Sequence, residues 1–267
     1  MPRLLITNDD GIDSPALSPL VEALHPGNEV HVVVPVSERS WIGKGITRFG
    51  PIHVRTVERG GIAWSTVDGT PADCVALGVH EILPAPPDLT VSGVNLGLNY
   101  GTGFVWSSGT VGAAVEAWIA GCPAIAFSMA IPADAFGLTG AARARLLGAG
   151  AERAAATSAS IVRTLLEQPF PDGVDLFSVN LPAGVTPRTP RRVTRVTRAR
   201  YGPIFSPHPD GGFVHRFRWY HAMEDAPEGD METVNGGVVS ISPLRMEFGA
   251  PLPDALRRAL ETGEGEH

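Results

Sequence analysis

Lysine is almost missing from this chain: Lys44 stands alone among 21 Lys and Arg residues. An arginine-biased coding preference accounts for that, and no habitat is read from it. Positive charge is short as a whole, with 28 Asp and Glu leaving a formal net charge of -7. That balance excludes a general nucleic-acid footprint. It would also repel a phosphate-bearing substrate unless something local reverses the sign. Cysteine is scarce too. Cys74 and Cys122 lie far apart, which excludes a disulfide framework and a thiolate ligand motif and leaves two small apolar residues. No apolar run approaches the roughly 18 residues a membrane span requires. The opening MPRLLITNDD carries no basic-then-apolar leader pattern, so a soluble cytoplasmic protein without a membrane partner is expected. Disorder is excluded by 43% hydrophobic against 18% charged residues, and 267 residues suffice for one large domain or a domain with an appendage.

What is present is a βα rhythm. Leu4 to Thr7 is a short apolar run ending in Asn-Asp-Asp-Gly, which reads as a buried strand and a turn. Leu17, Leu20, Val21 and Leu24 have the i, i+3, i+4, i+7 spacing of a helix. Its start is open between Ser14-Pro15 and Ser18-Pro19, each a cap followed by proline. A start at Ser14 would make Pro19 kink it. Strands are expected at Glu29 to Val34, Ile52 to Val57, Ile62 to Val67, Leu89 to Ser92, Ala124 to Ser128 and Asp175 to Val179. Helices are expected from Thr70-Pro71, over Thr110 to Ala120 and within 141–167, with Gly93 to Gly103 as a loop. Alternation of this kind means an α/β fold with a mainly parallel sheet, and ligands then sit beyond the carboxyl ends of the strands. From about Arg188 the texture changes to arginines, prolines and short alternating runs. Phe213 to Tyr220 and Gly237 to Ile241 read as strands of an extension. Isolated strand pairs are marginal in water, so this tail predicts at least a homodimer.

The polar loops at the strand ends carry the chemistry. Asp9 and Asp10 are adjacent carboxylates whose repulsion in a cleft asks for a partner. Hard oxygen ligands suit magnesium, calcium or manganese, although Asn-Asp-Asp-Gly is also good turn chemistry. Ser40 follows the second strand and offers a neutral oxygen. Lys44, between two glycines, could reach a phosphate, though the spacing is not that of a P-loop. Asn95 and Asn99 lie in the glycine-rich segment Ser92 to Gly101, with amide oxygens for a metal and NH2 groups for a phosphate. Ser107-Ser108-Gly109-Thr110 opens a helix, and such a start can cap the helix and bind an anion at once. His208, His215 and His221 show no metal spacing, and the arginines from 188 to 200 read as a solvated or interface stretch.

Taken in order, these segments resemble the SurE family of stationary-phase survival nucleotidases. The likeness runs from Leu4-Leu5-Ile6-Thr7-Asn8-Asp9-Asp10-Gly11 with Ser14-Pro15, through Pro35 and Arg39-Ser40, to Asp68 to Val75. It continues with Ser92-Gly93-Val94-Asn95, Ser108-Gly109-Thr110-Val111, Asn180-Leu181-Pro182 and Val239 to Leu244, covering about residues 3 to 245. Each motif is weak alone, and their order and spacing are specific together. The resemblance implies that Asp9, Asp10, Ser40 and Asn95 bind one divalent metal per subunit, magnesium or manganese, with Asp9, Asp10, Asn99 and Thr110 as the catalytic set. It implies that Asn99, Ser108, Gly109 and Thr110 hold the phosphate. The implied activity is release of phosphate from nucleoside 5′- and 3′-monophosphates, with short polyphosphate as a further substrate of some members. The implied fold is a Rossmann-like three-layer core, here residues 1–187. A carboxyl-terminal arm building dimers or tetramers follows at 188–245, with a return to the core near 237–245 left open, and 246–267 is a tail. One departure stands out: Trp41 occupies the place where the family usually has glycine. That residue is expected to line the pocket mouth and stack on a base, or else to be a core tryptophan.

Two readings of other classes compete. A receiver module also carries an acidic pair after its first strand, but needs an aspartate ending the third strand and a late lysine. Ile52 to Val57 ends in no aspartate, and Lys44 comes too early. A sugar- or nucleotide-binding protein without turnover would bind its ligand persistently and release no phosphate.

Overall fold

The computed structural model describes residues 1–262. Strands β1 (Arg3–Thr7), β2 (Glu29–Pro35), β3 (Val54–Arg59), β4 (Ile62–Val67), β5 (Leu89–Leu96), β6 (Ala124–Met129) and β7 (Leu176–Leu181) supply most of a central sheet. They are joined there by β8 (Arg191–Val193) and β13 (Val239–Leu244). Among the described residues this nine-stranded sheet has the order β3-β4-β2-β1-β5-β6-β7-β13-β8. From β4 to β7 every neighbour is parallel, while β3 and β13 run antiparallel to β4 and β7.

Period-two alternation divides the core. Leu4 and Ile6 face one side with helices α1 (Leu17–Leu24) and α5 (Gly140–Leu166). Leu5 faces the other with α2 (Pro71–Leu77) and α4 (Gly109–Ile119). The result is the expected three-layer α/β architecture. Small residues Ala113, Ala114 and Ala117 are fully buried on α4 and let that helix lie close to the sheet. Cys74 and Cys122 are both free and buried. No helix among the described residues is long and apolar enough to cross a membrane.

Chain order places β2 on one side of β1 and β5 on the other. Between β1 and β5 the winding reverses, and the crevice outside their carboxyl ends is where such sheets hold ligands. The loops after β1 and β2 and the end of β5 converge there.

Several expected boundaries move. Neither serine caps α1: its N-cap is Ala16, so Pro19 falls at the third helical position, where no intrahelical N–H bond is lost. The expected strand Ile52 to Val57 slides two residues, because a Gly60-Gly61 turn pairs Arg59 with Ile62. Strand β5 runs through Gly93 to Leu96, with a register shift between Ser92 and Asn95 against β6, where a loop was expected. The end of that loop begins α3 (Gly101–Ser107). The expected strand Phe213 to Tyr220 is broken in two. β10 (Phe205–Pro207) pairs with β11 (Phe213–His215), and β9 (Ala199–Tyr201) pairs with β12 (Tyr220–Ala222). Two further short helices among the described residues are α6 (Asp230–Asn235) and α7 (Asp254–Thr262).

Candidate active site

The turn after β1 is built by Asn8. Its side chain donates to the Gly11 carbonyl at 2.9 Å and accepts the Gly11 N–H at 3.2 Å. Gly11 takes φ +84 with the Ser37 backbone 2.7 Å from where a Cβ would sit, so the turn closes against the loop after β2. That loop answers with the Arg39 N–H donating to the Asp9 carbonyl at 2.7 Å. Asp9 and Asp10 are thereby fixed in the crevice.

Asp9 meets the start of α4. The Thr110 hydroxyl donates to its Oδ1 at 2.5 Å. A side chain at Gly109 would strike the Asp9 Cβ at 2.9 Å, so only glycine lets the helix end approach this closely. Asp10 accepts the Leu96 N–H from the end of β5 at 3.0 Å. Its side chain is 4% exposed, and the guanidinium of Arg143 lies 3.9 Å away. Burial pushes both carboxyls above the ordinary carboxylate range. For Asp10 the charge of Asp9 pushes further in the same direction, while for Asp9 the Thr110 hydroxyl opposes the rise.

Asn95 and Asn99 reach the same crevice. Asn95 donates its amide N–H to the Gly97 carbonyl at 2.7 Å, which leaves its oxygen for a cation. Asn99 is buried and held on three sides. Its backbone N–H donates to Asn180 Oδ1 at 2.9 Å, Asn180 Nδ2 donates to its carbonyl at 3.3 Å, and its own Nδ2 donates to Ser128 Oγ at 2.9 Å. Ser108 is the N-cap of α4, accepting the Val111 N–H at 3.1 Å. Thr110, inside the first turn, is therefore not the cap, and its hydroxyl serves Asp9 instead.

Three expected residues find unexpected surroundings. Ser40 is exposed and donates to Glu38 Oε1 at 2.6 Å, so that Glu38 and Arg143 stand between it and Asp10. Lys44 is turned to Glu116 on α4, with Nζ 2.6 Å from Oε2. Trp41 adopts φ +60. This is the left-handed region glycine enters freely, and it costs another residue about 1–2 kcal/mol. The expected glycine at this position therefore has a backbone reason. Here the ring is wedged among Phe104, Tyr201, His215 and Phe217, at centroid distances of 6.0, 5.1, 4.9 and 6.0 Å. Those contacts offset the strain and tie the loop after β2 to the extension. Of His208, His215 and His221, His215 is the one packed on Trp41, while His208 faces Asp210 at 3.5 Å.

Arg143, Glu38, Ser128 and Asn180 were not assigned roles by sequence reasoning. Asn180 carried a usable signal, a strand-end asparagine like Asn95. Arg143 carried none, since it lies in a helical stretch whose neighbours are exposed.

Among the described residues no group of three or more His, Cys, Asp or Glu is arranged for a metal. A cation here must therefore combine the acid pair with serine or amide oxygens. The donor set fits a hard divalent ion: two buried carboxylates, an amide oxygen and too little countercharge.

The family model described as "Survival protein SurE" matches residues 4–203. The protein "5′-nucleotidase SurE" of Methanocella arvoryzae is 40% identical over 263 residues, 93% of each chain. The protein of the same name from Archaeoglobus fulgidus is 38% identical over 251 residues, again 93% of each. The crystal structure of the SurE protein from Aquifex aeolicus superposes with a TM-score of 0.73 at 29% identity, covering 98% of both chains.

Proposed function

This chain belongs to the SurE family, and from that premise we propose that it is a 5′-nucleotidase using one divalent cation, magnesium or manganese, per subunit. The observation that carries the reading is the buried pair Asp9 and Asp10 set against the amino end of α4. Asp9, Asp10, Asn95 and, through a turn of its loop, Ser40 would hold the ion. When bound, it supplies positive charge and Lewis acidity to the phosphoryl oxygens. The N–H groups opening α4 and the side chain of Ser108 would receive those oxygens, with Gly109 bringing the helix end close to Asp9 and the Thr110 hydroxyl holding that carboxylate in place. Asn99 keeps a second amide N–H for the phosphate while Ser128 and Asn180 fix its direction. Such a site reads the phosphoryl end of a substrate, so nucleoside 3′-monophosphates and short polyphosphate belong to the same class. The aromatic group around Trp41, one residue from Ile42 whose side chain lies against Gly109, supports a base-stacking wall.

Phosphate release from chelator-treated protein should be nil and should return with magnesium or manganese. The panel holds 5′- and 3′-nucleoside monophosphates, tripolyphosphate and an aryl phosphate. Full turnover in metal-free buffer would overturn the metal dependence. Nucleotide binding without phosphate release would return the chain to the binding-protein class. The reading also includes at least a homodimer, because Phe205, Phe213 and Trp219 of the extension are 58, 73 and 52% exposed. Light scattering showing only a 28.1 kDa species would contradict that.

A further inference from the structure

Helix α5 begins well outside the packed core. From position 139 to 146 Arg143 is the one side chain that is not exposed. Its guanidinium turns inward over the acid pair, with Nη2 3.9 Å from Asp10 Oδ1 and Nη1 3.4 Å from Glu38 Oε2. Helix stability does not explain this placement. A cation near the amino end of a helix opposes the macrodipole, and the first turn of α5 holds no acidic residue to offset it. Nor are the other nearby cations free for the crevice. Lys44 is paired with Glu116, and Arg39 donates its Nε to the Gly69 carbonyl at 3.2 Å.

The bonding of Arg143 is incomplete. A guanidinium carries five donors in a planar fork. Here one reaches a carboxylate at the long distance of 3.4 Å, another stands at 3.9 Å, and Nε is buried without a hydrogen-bond partner. A fork held so loosely beside a phosphate site has the shape of a bidentate phosphoryl receiver.

We propose that Arg143 is a substrate-binding residue. In the metal-free protein it rests against Asp10 and Glu38 as a counter-ion, and with the cation in place it clamps the phosphoryl oxygens of the substrate. The inference rests on the metal-dependent reading above. The physical link is competition: Arg143 and a divalent cation both draw on the charge of Asp10. Once the ion neutralises that charge, the pull on the guanidinium falls and the fork is free for an anion. Glu38, which also accepts from Ser40 at 2.6 Å, keeps the arginine close to the crevice in either state.

Competition gives the test two readouts of opposite sign. Manganese binding is measured by calorimetry without substrate, and inorganic phosphate binding is measured at saturating manganese. Arg143→Gln should bind manganese roughly three- to tenfold more tightly than wild type and phosphate at least tenfold more weakly. Arg143→Lys keeps the charge but not the fork, so manganese affinity should stay within about twofold while phosphate affinity still falls. That second variant decides the matter if the first fails to fold. Equal phosphate affinity in wild type and folded variants would overturn the proposal. So would manganese binding unchanged or weakened in Arg143→Gln. Either result leaves the metal site standing, because wild type binds manganese in both. Absence of manganese binding by wild type itself would overturn the metal-dependent reading, and this inference with it.

Discussion

Asp10 and Asp230 are buried carboxyl groups in two parts of the molecule, and burial raises the pKa of both. Their surroundings differ. Asp230, at the start of α6, accepts three backbone N–H groups: Gly101 at 2.8 Å, Thr197 at 2.9 Å and Met231 at 2.8 Å. It clamps the extension to α3 and leaves little capacity unused. Asp10 accepts one N–H, from Leu96, faces Asp9, and is opposed only by a guanidinium at 3.9 Å. One carboxylate spends its charge on the fold, and the other keeps it for a ligand. The same contrast runs through the two regions. Around the acid pair the backbone is held by parallel strands and fully buried aliphatics. The extension consists of three-residue strands with exposed aromatics, attached at a few points such as Asp230, the Trp41 rings and Thr102, whose hydroxyl bonds both the N–H and the carbonyl of Ala199.

The largest expected effect lies at the crevice. Asp9→Asn or Asp10→Asn should lower kcat/KM by about a thousandfold, or about 4 kcal/mol. The same substitutions should raise the melting temperature of the metal-free protein at neutral pH, because they remove a carboxyl whose charged form is disfavoured first by burial and, for Asp10, also by the charge of Asp9. A fall in melting temperature would erase the contrast with Asp230. The pH dependence follows the same sign. Both carboxyls have folded-state pKa values above their unfolded ones. Stability of the metal-free wild type should therefore be greatest below about pH 4 from this cause, and be lost as pH rises through the folded values. Divalent-cation affinity should climb over that window as the ligands shed protons, and calorimetry at several pH values checks it.

Next in size is Asp230→Ala, which strands three buried N–H groups and should cost about 3 kcal/mol in denaturant unfolding. Unchanged stability would show that the clamp is dispensable. Thr110→Val removes the 2.5 Å donor to Asp9 without uncapping α4, since Ser108 is the cap. A loss of about tenfold in kcat/KM, near 1.4 kcal/mol, is expected with a small change in melting temperature. If activity holds, the hydroxyl serves packing alone. The smallest and most selective effect belongs to Trp41→Ala. KM for nucleotides should rise several-fold, consistent with a stacking contribution of about 1 kcal/mol, while an aryl phosphate is nearly untouched. Equal losses on both substrates with a lowered melting temperature would mean that the rings serve only to dock the extension.

Much of this was written in local sequence. Leu4 to Thr7 announces β1 by its apolar run, and the Asn-Asp-Asp-Gly that follows fixes the turn and the acid pair, because both signals lie within a few residues of one another. Thr70-Pro71 with Asp73 spells a capping box, with both reciprocal bonds formed at the start of α2. The start of α4 was legible to within a residue for a related reason: N-capping is local chemistry.

Tertiary structure decided the rest. Gly93 to Leu96 looks like a loop by composition, yet it pairs with β6, and that pairing brings Asn95 and the Leu96 N–H to Asp10. The glycines at 101 and 103 disfavour a helix, but Asp230 holds the first turn of α3 and Ala199 and Tyr201 pack against it. Lys44 finds Glu116 on α4, Trp41 accepts a left-handed backbone for the sake of four rings, and Arg143 reaches Asp10 across 133 residues of chain. Propensity and periodicity report on neighbours along the chain. The charge partners and ring contacts are made between residues far apart in sequence, and folding alone sets their distances.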